Sequence, residues 1–211
     1  MLITSPVLVL RITKYSESSV IARVFTREKG VQSFIVKGVR SSKSKNRAAV
    51  WQAGNLLELV FYFQEGKNLK SVKEFKLLRI YQHIQGDIYR TAMLMFMTEI
   101  LNQVLKEAQD FDNEELFDYL WQNMLALDAS TFPGNDFHLH FLLQLSSYLG
   151  IFPANNFSSL HEHFQIDQGL FSSENNKESL NEHLSSLLHQ LINKKAIKLN
   201  SSDRSALLEA L

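Results

Sequence analysis

The stretch SVIARVFT-REKG-VQSFIVKGV, residues 19–39, decides the fold. In Ser19 to Thr26, Val20, Ala22 and Val24 alternate with Ile21, Arg23 and Phe25, the period of two with which a pleated strand buries one face. Arg27-Glu28-Lys29-Gly30 is a four-residue connection ending in a glycine that takes positive φ without steric cost. Gln32 to Val39 is again strand-like, so the stretch predicts a β-hairpin.

Working outward, residues 4–13 read as a strand in which Leu8, Leu10 and Ile12 alternate with Val9, Arg11 and Thr13, and Tyr15-Ser16-Glu17-Ser18 turns it into the hairpin. Downstream, Arg47 to Gln52 suits a helical turn. Asn55 to Gln64 is a fourth strand, and Glu65-Gly66-Lys67-Asn68 leads into a fifth, Leu69 to Leu78. Five short strands with no long helix predict a small closed antiparallel barrel. The five-stranded OB-fold binds oligonucleotides on its strand 2–3 face, where Arg23, Phe25, Ile35 and Lys37 would mix charge with apolar surface.

From Asp87 the period changes to 3.6. Ile88 to Ala108 is apolar almost all round and is expected to be the buried centre of a second domain. Asp112 and Glu115 form a capping-box-like start for the next helix, whose inward stripe is Leu116, Phe117, Leu120, Trp121, Met124 and Leu127. Phe132-Pro133-Gly134-Asn135 breaks the chain. Phe137 to Leu149 is a third helix ending at Gly150, and residues 151–178 read as irregular, with a turn at Asp167-Gln168-Gly169. Leu180, Leu184, Leu187, Leu188 and Leu191 stripe a fourth helix. A last one opens at Ser201 and carries Leu207, Leu208 and Leu211, an unfinished apolar face that suggests further residues beyond it. The expected fold is α+β with two domains, an OB-fold β-barrel over 1–80 and an all-α helical domain over 81–211.

Charge divides along the same line. Residues 1–83 hold 15 Lys/Arg against 5 acids, and the remainder holds 7 against 17, so a net charge of zero conceals a basic half and an acidic half. The basic half suits a polyanion and the acidic half suits proteins. The run from Lys37 to Arg47 is the densest part, with Lys37, Arg40, Lys43, Lys45 and Arg47, no acid, and spacers rich in Gly, Ser and Asn. It reads either as a phosphate-backbone contact or as a solvated loop, and the surrounding positive charge favours the first.

The absence of cysteine excludes a disulfide framework, a Cys-ligated zinc and a thiol nucleophile. The start lacks the pattern of a signal peptide, and no stretch approaches the roughly 20 apolar residues of a membrane span, so no membrane partner and a cytoplasmic, nucleoid-associated protein are expected. No Gly-rich phosphate loop and no Gly-x-Ser-x-Gly elbow occurs. His138 and His140 would point to different sides of their helix. His161, Glu162 and His163 are either a loop trio able to meet one zinc ion or ordinary surface residues. Glu114 and Glu115 suit a helix first turn better than an acid/base couple. Neither an enzyme nor a cofactor is expected.

Tyr15-Ser16-Glu17-Ser18-Ser19, Val24 to Gly30, Phe34 to Arg40, Ser41 to Trp51 and Leu56-Leu57-Glu58-Leu59 resemble the amino-terminal domain of the bacterial recombination mediator RecO family. Thr98 to Leu101, Phe141-Leu142-Leu143 and Tyr148 to Pro153 resemble its second half more loosely. The resemblance implies an OB-fold followed by a helical domain, in a non-enzymatic protein of DNA repair and homologous recombination. Such a protein binds single- and double-stranded DNA, anneals complementary strands and, with RecR, helps load RecA onto DNA coated by single-strand-binding protein. Many members carry a four-cysteine zinc site after the motif that here is Gly150-Ile151-Phe152-Pro153; this chain has no cysteine, so the resemblance carries no metal with it.

The expected DNA contacts are Lys37, Arg40, Lys43, Lys45 and Arg47, with Arg11, Lys14, Arg23 and Arg27 added from the barrel. Neutralising about five phosphates would give a salt slope of roughly −4 to −5. Phe25 and Phe34 either stack on bases or belong to the core, and the strand pattern favours the core. Lys194, Lys195, Lys198 and Arg204, or Arg90 and Lys106, are the cations available to the acidic tail of the single-strand-binding protein. The competing reading is a protein-interaction scaffold without direct DNA binding, whose basic barrel pairs with an acidic domain.

Overall fold

A computed structural model describes residues 1–39, 45–105, 113–195 and 197–211, with the side chains at 45 and 46 outside that description. Strands β1 (Leu2–Lys14), β2 (Val20–Thr26), β3 (Gly30–Val36), β4 (Leu56–Tyr62) and β5 (Leu69–Leu77) close a barrel in the order β1-β2-β3-β5-β4, with a short helix α1 (Lys45–Val50) between β3 and β4. All neighbours are antiparallel except β3 and β5, which run parallel and shut the cylinder. This is the expected five-stranded OB-type barrel. Closure removes the free edges that a five-stranded open sheet would present. The inward positions of the alternation, among them Val7, Val9, Val20, Ala22, Val24, Phe34, Val36, Leu57, Leu59 and Phe61, fill it as one apolar core.

Helices α2 (Ile88–Val104) and α3 (Asn113–Leu127) follow the barrel in the chain. The chain forms two compact units, Met1–Pro133 and Gly134–Leu211, divided at the Pro-Gly break seen in the sequence. Both helices therefore belong to the barrel's unit. Here α2 departs from the expectation of a helix buried at the centre of a second domain. It packs on β1 and buries Arg90, Met97, Thr98 and Leu101, while Ile88, Tyr89 and Met95 are exposed. Its all-round apolar sequence gave no direction, because the burying surface is a sheet that lies far back in the chain. The reading to Ala108 and the Asp112 cap both extend outside the described residues.

Two polar devices fasten this unit. Asp128, 4% exposed, accepts the backbone N–H groups of Gln82, His83 and Ile84, while its own carbonyl meets His83 Nδ1 at 2.7 Å. The buried Arg90 guanidinium donates to the carbonyls of Leu127 and Ala129, satisfying the open C-terminal end of α3.

In the second unit, α4 (Phe137–Tyr148), α5 (Glu182–Ile192) and α6 (Ser201–Ala210) bracket a small hairpin, β6 (His163–Gln165) and β7 (Leu170–Ser172). Leu139, Leu143, Phe164, Phe171, Leu188, Leu191 and Leu207 form its core. The hairpin falls in a stretch that reads as irregular from sequence. Three-residue strands are too short to show a period, and only the turn through Gly169, at φ +67°, is legible. Among the described residues, no helix is long and apolar enough to cross a membrane.

Candidate nucleic-acid interface

The barrel register decides which side chains face outward together. Arg11 pairs with Arg23 and Arg23 with Ser33; Thr13 pairs with Ile21, Ile21 with Ile35, and Ile35 with Ser71 across the parallel seam. Directly opposed residues share a face, and the alternate positions are those of the core. Arg11, Thr13, Ile21, Arg23, Ser33, Ile35 and Ser71 therefore line the outer surface. Alternation carries the face on to Lys37, while an irregularity in the β4–β5 register at Lys73 ends it in β5. It also reaches Tyr15, whose N–H still bonds the Ser19 carbonyl at 3.1 Å, one step beyond the last β1–β2 pair.

Half of this outer face is closed. Leu8, Leu10 and Phe25 are buried outside the barrel core cluster, on the side where α2 packs against β1 and α3 against β2. Phe25 stacks on Phe117, with ring centroids 6.3 Å apart. At Gly54, φ is +87° and a Cβ would lie 2.6 Å from Leu94 Cδ1, so the glycine lets α2 come close to the barrel.

The other half is open. Arg11, Thr13, Tyr15, Lys37 and Ser71 are exposed, and Ile21, Ser33 and Ile35 are half-buried between them. Lys14 stands at the rim of the same barrel end, because it pairs with Val20 and Val20 with Val36, immediately before Lys37. Arg47, exposed on α1, sits with its Nη1 3.7 Å from where a Cβ on Gly38 would be, which brings the far arm of the basic run back beside its near arm. The Asn55 amide holds α1 there by donating to the carbonyls of Ala49 and Val50. Among the described residues, Arg11, Lys14, Lys37 and Arg47 make no ion pair, so Lys14, Lys37 and Arg47 at one barrel end, and Arg11 on the open face that leads up to it, stand without a carboxylate partner.

Two of the expected contacts are turned elsewhere. Arg23 Nη1 donates to both the carbonyl and the side-chain oxygen of Asn102, each at 2.7 Å, and Nη2 donates to the Leu105 carbonyl, so Arg23 caps the C-terminus of α2. Arg27 lies 2.6 Å from Glu114 and 2.9 Å from Asp118 on α3. The bond to Asp118 holds the Arg27 guanidinium protonated and keeps the Asp118 carboxyl below its ordinary range. The strand 2–3 face expected to carry Arg23, Phe25, Ile35 and Lys37 is thus split, with the first two under helices and the last two in the open. Arg40 and Lys43 lie outside the described residues, as does the Lys45 side chain.

The remaining candidates are dispersed. Lys194, Lys195 and Lys198 are exposed after α5, with Lys194 at φ +54°. Arg204 donates to the Leu199 carbonyl at 2.7 Å and lies 3.8 Å from Asp136, an intramolecular tie within the second unit. Arg90 is buried in the α3 cap, and Lys106 falls outside the described residues. His161 Nδ1 meets Ser158 Oγ at 3.2 Å, while the buried His163 turns Nδ1 to the Leu180 carbonyl at 3.1 Å. No group of three or more His, Cys, Asp or Glu among the described residues is placed to hold a metal ion. Tyr15, Thr13 and Ser71 lie on this open face although sequence reading did not single them out. The β1–β2 and β2–β3 registers and the pairing of β3 with β5 bring them together, and alternation within single strands carries no trace of it.

Known proteins resemble this chain along its whole length. The family model described as Recombination protein O N terminal matches residues 1–81, and the one described as Recombination protein O C terminal matches residues 85–211. The DNA repair protein RecO of Flavobacterium psychrophilum is 31% identical over 217 residues, covering 100% of this chain and 90% of the relative. That of Christiangramia forsetii is 33% identical over 172 residues, covering 81% and 70%. Among solved structures, an asparaginyl-tRNA synthetase from Entamoeba histolytica aligns over 70% of this chain and 30% of its own at a TM-score of 0.31 and 11% identity, too slight a likeness to carry any argument.

Proposed function

Since the chain belongs to the recombination protein O family, we propose that it serves DNA repair by binding DNA through the open face and basic end of its barrel. The observation that carries this reading is the set Arg11, Lys14, Lys37 and Arg47, four cations on the open face and its adjoining barrel end with no carboxylate partner among the described residues. Such a cluster is costly unless a polyanion occupies it. Arg40, Lys43 and Lys45 add three more positive charges to the same loop in sequence. Phosphates fix the strand without reading its bases, so binding is sequence-tolerant. Family membership supports the rest: binding of single and double strands, annealing of complementary ones, and work with RecR in loading RecA onto DNA held by single-strand-binding protein. The exposed lysines 194, 195 and 198 are the contacts we assign to that protein's acidic tail.

The scaffold reading, in which the basic barrel is neutralised by acidic helices, accounts for Arg27 with Glu114 and Asp118 but for none of the four cations on the open face and its adjoining end. Annealing separates the two. Complementary labelled oligonucleotides should pair faster with the protein than alone, and R11A/K14A/K37A/R47A should remove the acceleration. If the parent leaves the rate unchanged, the DNA reading fails.

A further inference from the structure

Phosphate contacts alone do not distinguish one strand from two, yet the open face holds more than charge. Tyr15 is 58% exposed at the β1–β2 turn, between Lys14 and a polar Ser16-Glu17-Ser18. Its backbone continues the ladder through the Ser19 carbonyl, so alternation puts its ring on the same outward side as Thr13 and, across the sheet, Ile21 and Ile35. The other strongly exposed tyrosines are elsewhere: Tyr62 pairs with Leu2 at the opposite end of the barrel, and Tyr89 is on α2. An exposed aromatic ring beside two half-buried isoleucines, rimmed by Arg11, Lys14 and Lys37, is the arrangement in which a backbone is gripped and an unpaired base laid flat.

We propose that Tyr15 is a base-stacking platform and that it gives this surface a preference for single-stranded DNA; the inference rests on the DNA-binding reading above. A base within a duplex already stacks on both faces and has no surface to give. A base in a single strand does, and every base has one, so the preference is for strand type and not for sequence. Ile21 and Ile35 supply apolar contact under the neighbouring nucleotide.

The test is fluorescence anisotropy with a single-stranded oligonucleotide, a duplex of equal length and a single strand of abasic sites, using the parent, Y15A and Y15F. Y15A should weaken single-strand binding about tenfold and leave the duplex and the abasic strand unchanged, with Y15F close to the parent. The inference is overturned if Y15A binds all three as the parent does, or weakens all three equally. If the parent itself binds none of them, the DNA-binding reading falls and this inference with it.

Discussion

Arg23 on the barrel and Asn102 on α2 are joined by two hydrogen bonds of 2.7 Å from a single guanidinium nitrogen. A cation that sequence alone assigns to a DNA surface is instead a helix cap, where charge meets the unsatisfied carbonyls and the negative end of the helix dipole. R23A should lower unfolding stability by about 2 kcal/mol, as its charge-assisted hydrogen bonds are removed. The DNA affinity of the folded variant should stay within twofold of the parent. Urea denaturation and anisotropy on one preparation check both halves, and a large drop in affinity at unchanged stability would return Arg23 to the interface.

The boundary of the barrel's folding unit is open to measurement in the same way. Leu8, Leu10 and Phe25 are buried outside the barrel core, on the side where α2 and α3 pack. A fragment ending at residue 80 would expose them as an apolar patch, whereas one ending at Pro133 keeps them covered. Residues 1–133 should unfold cooperatively on heating, and residues 1–80 should aggregate or bind hydrophobic dyes. Equal behaviour of the two fragments would show that the helices contribute nothing to the barrel.

How much of this was legible in sequence differs by element. The β-hairpin of residues 19–39 was readable because one inward set, Val20, Ala22, Val24, Phe34 and Val36, repeats every second residue. The face of α2 was not readable, because apolar side chains all round a helix do not say which side meets a partner. The basic run was obvious from composition. Its companions on the barrel were not: Arg11, Arg23 and Arg27 look alike in sequence, and only the distant Asn102, Leu105, Glu114 and Asp118 separate the two that are occupied from the one that is open.

Asp128 makes stability depend on pH. Burial acts to raise its pKa, but the N–H groups of His83, Gln82 and Ile84 outweigh it, and the carboxyl is held below its usual value. A depressed folded value means that the stabilisation is complete well above the unfolded pKa of about 3.9 and disappears as pH falls through the folded one. D128A should cost about 3 kcal/mol at neutral pH, with the three donors left unpaired. The gap between parent and D128N should close as pH drops below about 4. Melting curves from pH 7 to pH 2 follow it, and a gap that stays constant would contradict the assignment.

At Gly54, a side chain faces two obstacles, the positive φ of +87° and Leu94 Cδ1 at 2.6 Å from a built Cβ. G54A should destabilise the first unit by about 1–3 kcal/mol. The double variant G54A/L94A should recover none of the backbone strain, since that part belongs to φ. Urea midpoints of the two variants measure the division.

The most direct measurement of the central claim is the salt dependence of single-stranded DNA binding. With about five phosphates neutralised at about 0.7 each on a single strand, the parent should show a slope of log affinity against log salt of roughly −3.5, and R11A/K14A/K37A/R47A, still folded, should show one flattened by about three units. A variant with the parent's slope would contradict the account, and so would a parent whose binding does not respond to salt.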